Sequence, residues 1–466
     1  MSTKVNKIYD VAIIGAGIGG YVSAIRSSQL GMRVALIEKQ KIGGVCLNKG
    51  CIPTLTFVTA ANLLKKIRHA KNYGINIENL SIDFKRLKAR KEAIINRLSQ
   101  GVRYLLKKNK VDIFEGFGRI KSRNQISIVK NGKEKIIEAK NIIVASGSKP
   151  KDLLAVPLDG EKIMAPEDSL NLEELPKEIS IIGGGILGVE FAQIFNLLGA
   201  NVSILEKRQR LLPYLDEEIS ITISKILERS NIKIYTKVTS ESAKIENNKV
   251  NLTFYVEGER LNITSDKVIV AVGREPNSEN LGLENIGVHL KNGFIEVDEH
   301  MRTNIPNIYA VGDVTGGKMF AHTAFAEGVV AAENIAGMES SINRKVIPTC
   351  IYTMPEIASV GLSEAEAIKL GYKISVGRFP YMANGRAITL GEREGFVKII
   401  AEKETDEILG VHIIGPDATN LISEAIVAIK LECTSEELGK TIHPHPTLSE
   451  AIMEASLAIF KKAIHI

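Results

Sequence analysis

The sequence predicts an α/β chain with two Rossmann-like dinucleotide-binding folds and a C-terminal α+β domain. Three observations carry that expectation. A glycine-rich turn between an apolar strand and a helix occurs twice. Its two copies lie 168 residues apart at every landmark, without a gap. After about residue 341 the pattern changes to short strand-like runs followed by helical stretches. The expected boundaries are 1–149, 150–274, 275–340 and 341–466.

In the first copy the apolar run Val11 to Ile14 leads into Gly15-Ala16-Gly17-Ile18-Gly19-Gly20. A helical stretch then ends at Leu30-Gly31, and a second strand ends at Glu38-Lys39. In the second copy Ile179 to Ile182 leads into Gly183-Gly184-Gly185-Ile186-Leu187-Gly188, followed by Leu198-Gly199 and Glu206-Lys207. Each glycine has a task. Gly15 and Gly183 make the tight turn, Gly17 and Gly185 let backbone approach a pyrophosphate, and Gly20 and Gly188 let helix pack on strand. The helix N-terminus then faces the phosphates. Glu38 and Glu206 lie 18 residues past the third glycine, placed to accept hydrogen bonds from ribose hydroxyls. A carboxylate at Glu206 repels a 2′-phosphate, so NAD is expected over NADP. The neighbouring Lys207, Arg208 and Arg210 read as a solvated loop.

Between these copies, residues 52–110 read as a helical insertion. Phe84, Leu87, Ile94, Ile95, Leu98, Val102, Leu105 and Leu106 keep a helical period that only Lys91 breaks. The run Lys85-Arg86-Leu87-Lys88-Ala89-Arg90-Lys91 reads as a solvated face or as a docking surface for an acidic partner. Ser148-Lys149-Pro150 and Leu175-Pro176 bracket the crossover into the second fold, and Gly273-Arg274-Glu275-Pro276-Asn277 reads as its exit. Beyond 341, Val346 to Thr353, Gly395 to Ile400 and Ile408 to Ile414 read as strands, and Leu421 to Leu431 and Leu448 to Lys462 as helices.

Composition excludes several classes. At 466 residues the chain is too long for one ordinary core. It is 44% hydrophobic and 24% charged, which is ordinary for a globular protein. Lys+Arg 60 against Asp+Glu 54 leaves a net charge of +6, too mild for a nucleic-acid binder of this length. No run approaches the roughly 18 apolar residues of a membrane span. Met1 to Lys7 is short and polar, so the expected location is the cytoplasm.

Four cysteines rule out a disulfide scaffold. Cys46 and Cys51, with no further Cys or His nearby, make a poor metal site. A bond between them has a condition: in a regular helix positions i and i+5 lie roughly 8 Å apart at Cα, while a disulfide tolerates about 7 Å. Bonding therefore demands a distorted segment, with Gly50 supplying backbone freedom. Cys350 and Cys433 are expected to be buried small hydrophobes.

The stretch Gly43-Gly44-Val45-Cys46-Leu47-Asn48-Lys49-Gly50-Cys51-Ile52-Pro53 resembles the redox-disulfide signature of the pyridine nucleotide-disulfide oxidoreductases, most closely their dihydrolipoamide dehydrogenase branch. Thr303 to Asp313 resembles the family's second flavin motif. Met319-Phe320-Ala321-His322 resembles its flavin-ring stretch, and His443-Pro444-His445-Pro446-Thr447-Leu448-Ser449-Glu450 its C-terminal signature. The resemblance runs nearly end to end. It implies FAD in the first fold, NAD in the second, a central 275–340 segment completing the FAD site, and a dimerisation domain after 341. It implies a Cys46–Cys51 disulfide, with Cys46 meeting substrate and Cys51 forming the charge-transfer thiolate beside the flavin. His445 would be the base, oriented by Glu450 and supplied by the other subunit of a homodimer. Further positions implied at the flavin are Lys39, Gly44, Gly118, Ser146, Gly147, Ser148, Asp313, Met319, Ala321 and His322. Those implied at the nicotinamide nucleotide are Glu190, Val238 and Gly273. No metal is implied. The implied reaction oxidises protein-bound dihydrolipoamide and reduces NAD⁺. Its partners would be the lipoyl domain and acyltransferase core of a 2-oxoacid dehydrogenase complex, or the glycine-cleavage lipoyl carrier.

Where the family continues Cys-Ile-Pro-Ser-Lys, this chain reads Cys51-Ile52-Pro53-Thr54-Leu55. The missing lysine would pair with a glutamate of the second fold's helix, here Glu190. A buried Glu190 without it is expected to have a raised pKa. The flavin potential is expected to shift. Pro444, often Ala in the family, stiffens the approach to His445. The readings that compete are another disulfide reductase of the family, or a flavoprotein with impaired dithiol chemistry acting as a diaphorase or structural subunit.

Overall fold

A computed structural model describes residues 8–466; the polar segment 1–7 lies outside them. The chain divides into two compact units. The first comprises residues 8–57, 85–151 and 273–343, and the second 58–84, 152–272 and 344–466.

The first unit is built on β1 (Ile8–Ile14), α1 (Ile18–Gln29) and β2 (Val34–Glu38). From Val11 to Ile14 β1 is apolar and buried, as a strand covered on both faces must be. It sits mid-sheet, parallel to β2 on one side and to Lys133–Val144 on the other. Asp112–Glu115 extends the sheet beyond β2, and Ile308–Ala310 pairs in parallel with Lys133–Val144. An antiparallel meander of Phe117–Ser122 and Gln125–Lys130 follows on from Lys133–Val144. The glycine turn therefore opens between two neighbouring parallel strands, where α/β sheets bind ligands. The short helix α2 (Gly44–Asn48) and the long α3 (Cys51–Arg68) come next, then the 25-residue α4 (Phe84–Lys108).

α4 corrects the sequence pattern in a specific way. Lys91, the break in the apolar period, is 1% exposed, whereas Leu98 and Leu105 of that period are 40% and 42% exposed. The inward stripe is Lys91, Ile95 and Leu106.

In the second unit Glu178–Ile182, Ile186–Leu198 and Asn201–Leu205 repeat the β1–α1–β2 arrangement. Five parallel strands run in the order 233–235, 201–205, 178–182, 267–270, 163–164. A three-stranded antiparallel sheet spans 238–265. The remainder is a five-stranded antiparallel sheet in the order 349–351, 356–361, 408–415, 396–402, 374–380. Helices Ala418–Lys430 and Glu450–Ile459 contribute to its core. All three strands expected after 341 are present, with Glu356–Gly361 and Ile374–Pro380 added. Cys350 and Cys433 are half-buried at the margin of this core rather than inside it. Among the described residues no helix is long and apolar enough to cross a membrane.

Candidate active site

The two glycine turns have the same internal logic. Gly15 has φ +104°, and a Cβ there would fall 2.3 Å from the Ala145 carbonyl oxygen. A Cβ on Gly20 would fall 1.8 Å from the Gly15 carbonyl oxygen. Gly17 is different: the nearest atom to its Cβ position is Gly44 Cα, at 3.9 Å. In the second copy Gly183 (φ +110°) and Gly188 are closed off at 2.4 and 1.8 Å, while Gly185 has nothing within 4 Å. The outer glycines are required by the protein's own backbone. The middle ones border open space at a helix N-terminus, which fits a pyrophosphate bound by backbone N–H groups.

Both acids brace their turns. Glu38 Oε2 accepts the Ala16 N–H at 2.7 Å, and Oε1 the Gln40 N–H at 2.6 Å. Glu206 Oε2 accepts the Gly184 N–H at 2.5 Å, and Oε1 the Arg208 N–H at 2.6 Å. The 168-residue offset thus holds atom for atom. The Val238 N–H donates to the Glu206 carbonyl. Arg210 pairs with Glu217 at 3.2 Å. Lys39 lies over the Phe117 ring, and Gly118 packs where a Cβ would touch Ile37 and Ile14. Gly44 (φ +60°) abuts Gly17.

A polar cluster also belongs to the first unit. The Ser148 hydroxyl donates to Asp313 Oδ2 at 2.5 Å and receives the Arg274 Nε–H at 2.7 Å. Burial raises the Asp313 carboxyl, while the Ser148 hydrogen bond and Arg274 pull the other way. The buried Ser146 hydroxyl has no hydrogen-bond partner among the described residues, and Gly147 borders open space at φ +72°. An unsatisfied hydroxyl beside a side-chain-free turn suits a polar ligand. Met319 (φ +47°) precedes a helix that begins at Ala321, and His322 stacks on Phe320 at 5.2 Å. Gly273, one residue before Arg274, opens the last segment of this first unit.

Cys46 and Cys51 are joined by a disulfide with a Cα–Cα distance of 4.7 Å. The required distortion is a break between α2 and α3, with Lys49 at φ −138° and ψ −17°. Gly50 does not adopt a left-handed conformation. Its N–H turns back to the Val45 carbonyl at 2.7 Å, and a Cβ there would sit tightly against Val45 O and Cys46 Cα at 3.3 and 3.4 Å, so glycine eases the bend. Asn48 secures the bend by donating to the Ile42 and Gly44 carbonyls. Cys51 opens the 18-residue α3, whose N-terminal dipole favours a thiolate there. Pro53 fits the first turn, where its missing N–H costs nothing.

In the second unit His445 Nδ1 meets Glu450 Oε1 at 2.8 Å, while the Thr447 N–H donates to Oε2 at 2.8 Å. Burial would raise the Glu450 carboxyl, but Thr447 and His445 hold it below its ordinary value. The His445 ring is 79% exposed, so its Nε2 is accessible. Glu190 is buried and accepts the Tyr352 N–H at 2.8 Å. Burial pushes its carboxyl up to about 7.

Comparison with known proteins follows these features. The family described as pyridine nucleotide-disulphide oxidoreductase matches residues 9–328, and its dimerisation domain matches 347–456. The chain belongs to this family. Pyridine nucleotide-disulphide oxidoreductases similar to it include a dihydrolipoyl dehydrogenase of Bacillus subtilis, 42% identical over 98% of this chain and 99% of that one. One of Thermus scotoductus is 43% identical over 99% of each. Among solved structures, LpdA from Mycobacterium tuberculosis superposes with a TM-score of 0.90 at 26% identity, covering 96% of this chain and 98% of that one. The HOCl-induced flavoprotein disulfide reductase RclA from Escherichia coli gives 0.85 at 28% identity, covering 96% and 99%.

Three residues of the site region were not singled out from sequence. In the sequence Arg274 stands only in an exit turn, with nothing local to mark it as a partner of Ser148. Glu327, 1% exposed, accepts the Gly312 N–H at 2.7 Å and so fixes the Asp313 turn. Its signal in the sequence is an acid set among the small and apolar residues of Ala324 to Ala332. Glu424 holds His443 Nε2 at 2.7 Å, raising that imidazole's pKa. Their separation of 19 residues has no local signature.

Proposed function

We propose that this member of the family is a dihydrolipoyl dehydrogenase, oxidising a protein-bound dihydrolipoyl dithiol and reducing NAD⁺. The observation that carries the reading is a Cys46–Cys51 disulfide opening a long helix in the same unit as a nucleotide-ready glycine turn. Residues 1–149 and 275–340 hold FAD, 150–274 hold NAD, and 341–466 form the homodimer contact. Cofactor roles fall to the glycine turns, Glu38, Glu206, and the Ser146–Ser148, Asp313 and Met319–His322 positions.

His445 of the partner subunit takes a proton from the substrate dithiol at Nε2. Glu450 fixes the Nδ1–H tautomer and stabilises the imidazolium formed. The substrate thiolate attacks Cys46 Sγ, the S–S bond breaks, and Cys51 leaves as a thiolate at the α3 N-terminus. The second substrate thiol loses its proton and attacks the mixed disulfide. Lipoyl disulfide is released and both cysteines are reduced. Bound FAD supplies the two-electron relay from the cysteine pair to NAD⁺. The lipoyl arm belongs to a 2-oxoacid dehydrogenase complex or a glycine-cleavage carrier, in the cytoplasm.

Dihydrolipoamide and NAD⁺ with the purified holoenzyme test the reading. NADH appears with the wild type and is abolished in Cys46→Ser. A yellow protein that oxidises NADH yet leaves dihydrolipoamide untouched refutes it.

A further inference from the structure

α4 is strongly basic, and one of its faces carries a continuous basic row. It carries nine Lys or Arg and one acid, more net positive charge than the +6 of the whole chain. The acid, Glu92, lies 2.9 Å from Lys91, whose side chain is 2% exposed. Arg86, Arg90, Arg97, Tyr104 and Lys108 are all exposed. They are spaced four, seven, seven and four residues apart and so share one face. This row runs for roughly 33 Å with no acid in it, and Tyr104 is 65% exposed within it. Like charges one turn apart repel, so such a row weakens an isolated helix. An aromatic set among arginines has the composition of a recognition surface.

The opposite side of α4 touches the redox segment. The Ser99 hydroxyl donates to Asn48 Oδ1 at 3.4 Å, and Asn48 lies between Cys46 and Cys51. Whatever sits on the outward face is therefore about one helix diameter, roughly 10 Å, from the segment that bears the disulfide.

We propose that the outward face of α4 docks an acidic protein domain that carries the dithiol substrate. The proposal rests on the functional reading above and adds the surface that reading lacks. Charge opposite to the Arg86–Lys108 row draws the carrier in and orients it. The arm then reaches around the helix to Cys46. Free dihydrolipoamide has no acidic body and gains nothing from the row.

The test uses the holoenzyme dimer and a triple variant, Arg90→Glu, Arg97→Glu and Lys108→Glu. KM is measured for free dihydrolipoamide and for the same dithiol on an acidic lipoyl domain, from about 20 to 300 mM salt. The KM for the domain-borne dithiol is expected to rise about tenfold in the variant and to lose its salt dependence. The KM for free dihydrolipoamide stays within about twofold of wild type. The Gln triple at the same positions guards against misfolding by charge reversal and is expected to give a smaller rise, about threefold. An unmoved KM for the domain-borne dithiol overturns the docking surface alone, as does an equal loss for both substrates. Binding of the row to phosphatidylserine vesicles or RNA, with domain kinetics unmoved, overturns it too. A wild type inert towards free dihydrolipoamide overturns the functional reading and the docking proposal together.

Discussion

Glu190 is an acid held inside an apolar helix, where it accepts the Tyr352 backbone N–H. Its carboxyl lies near 7 rather than near its ordinary value. Below about pH 4 native and unfolded chains both hold the proton. Between there and 7 the unfolded chain sheds it first, so stability falls as pH rises through that window. Glu190→Gln keeps the acceptor for Tyr352 and removes the slope. Thermal unfolding curves of the two proteins are expected to coincide near pH 4 and to separate above 7. There the variant is more stable by up to about 3 kcal/mol. At His445 the expectation concerns rate. His445→Gln removes the proposed base, a group whose contribution is typically about 10²–10⁴-fold. Turnover of dihydrolipoamide should fall in that range while the far-ultraviolet dichroism is unchanged, since the ring is 79% exposed.

At the scale of the element, the glycine turns make opposite demands on neighbouring positions. Gly188→Ala drives a methyl into the Gly183 carbonyl and must separate helix from strand. It is expected to lower the melting temperature, with a cost of about 1–3 kcal/mol. Gly185→Ala meets nothing in the protein. It should leave the melting temperature in place and raise the KM for NAD⁺ several-fold. A fall in stability without a change in KM at Gly185 would contradict its assigned role. These turns were legible in the sequence because every constraint on them is local: a strand, three glycines, a helix and an acid within one short stretch. The α2–α3 break was legible as a need but not as a place, since Lys49 bends and Gly50 only makes room. Lys91 looked like a fault in a periodic helix and is instead among its most buried residues. Glu356–Gly361 and Ile374–Pro380 escaped notice because antiparallel partners far along the chain define them. The Ser148–Arg274–Asp313 cluster joins residues up to 165 apart, and nothing near any one of them announces the others.

Over the whole molecule, one buried cation connects two architectures of the second unit. Lys398, in a central strand of the antiparallel sheet, is 1% exposed. Its ammonium reaches Asp216 at 3.1 Å, Glu218 at 2.9 Å and Glu364 at 2.6 Å. Asp216 caps the helix Glu217–Arg229 of the nucleotide fold. Burial alone would raise the Asp216 carboxyl, but His412 and Lys398 hold it below its ordinary value. Its contribution to stability is therefore present near neutrality and lost as pH falls through the acid range. Lys398→Met leaves a buried carboxylate without its cation and is expected to cost about 3–5 kcal/mol in denaturant unfolding. Lys398→Met combined with Asp216→Asn should recover part of that loss. Additivity of the two changes would show that the pair does not interact.

The two braced turns carry a consequence for ligand selection. Glu38 and Glu206 each commit both oxygens to main-chain amides in the same pattern, so the protein's own backbone shapes the two loops alike. A pair of near-identical sockets offers no means of sorting an adenine dinucleotide carrying a flavin from one carrying a nicotinamide. Discrimination must reside in what each socket's far wall offers the other half of the molecule. Exchanging the loops between the folds should then leave cofactor choice where it was.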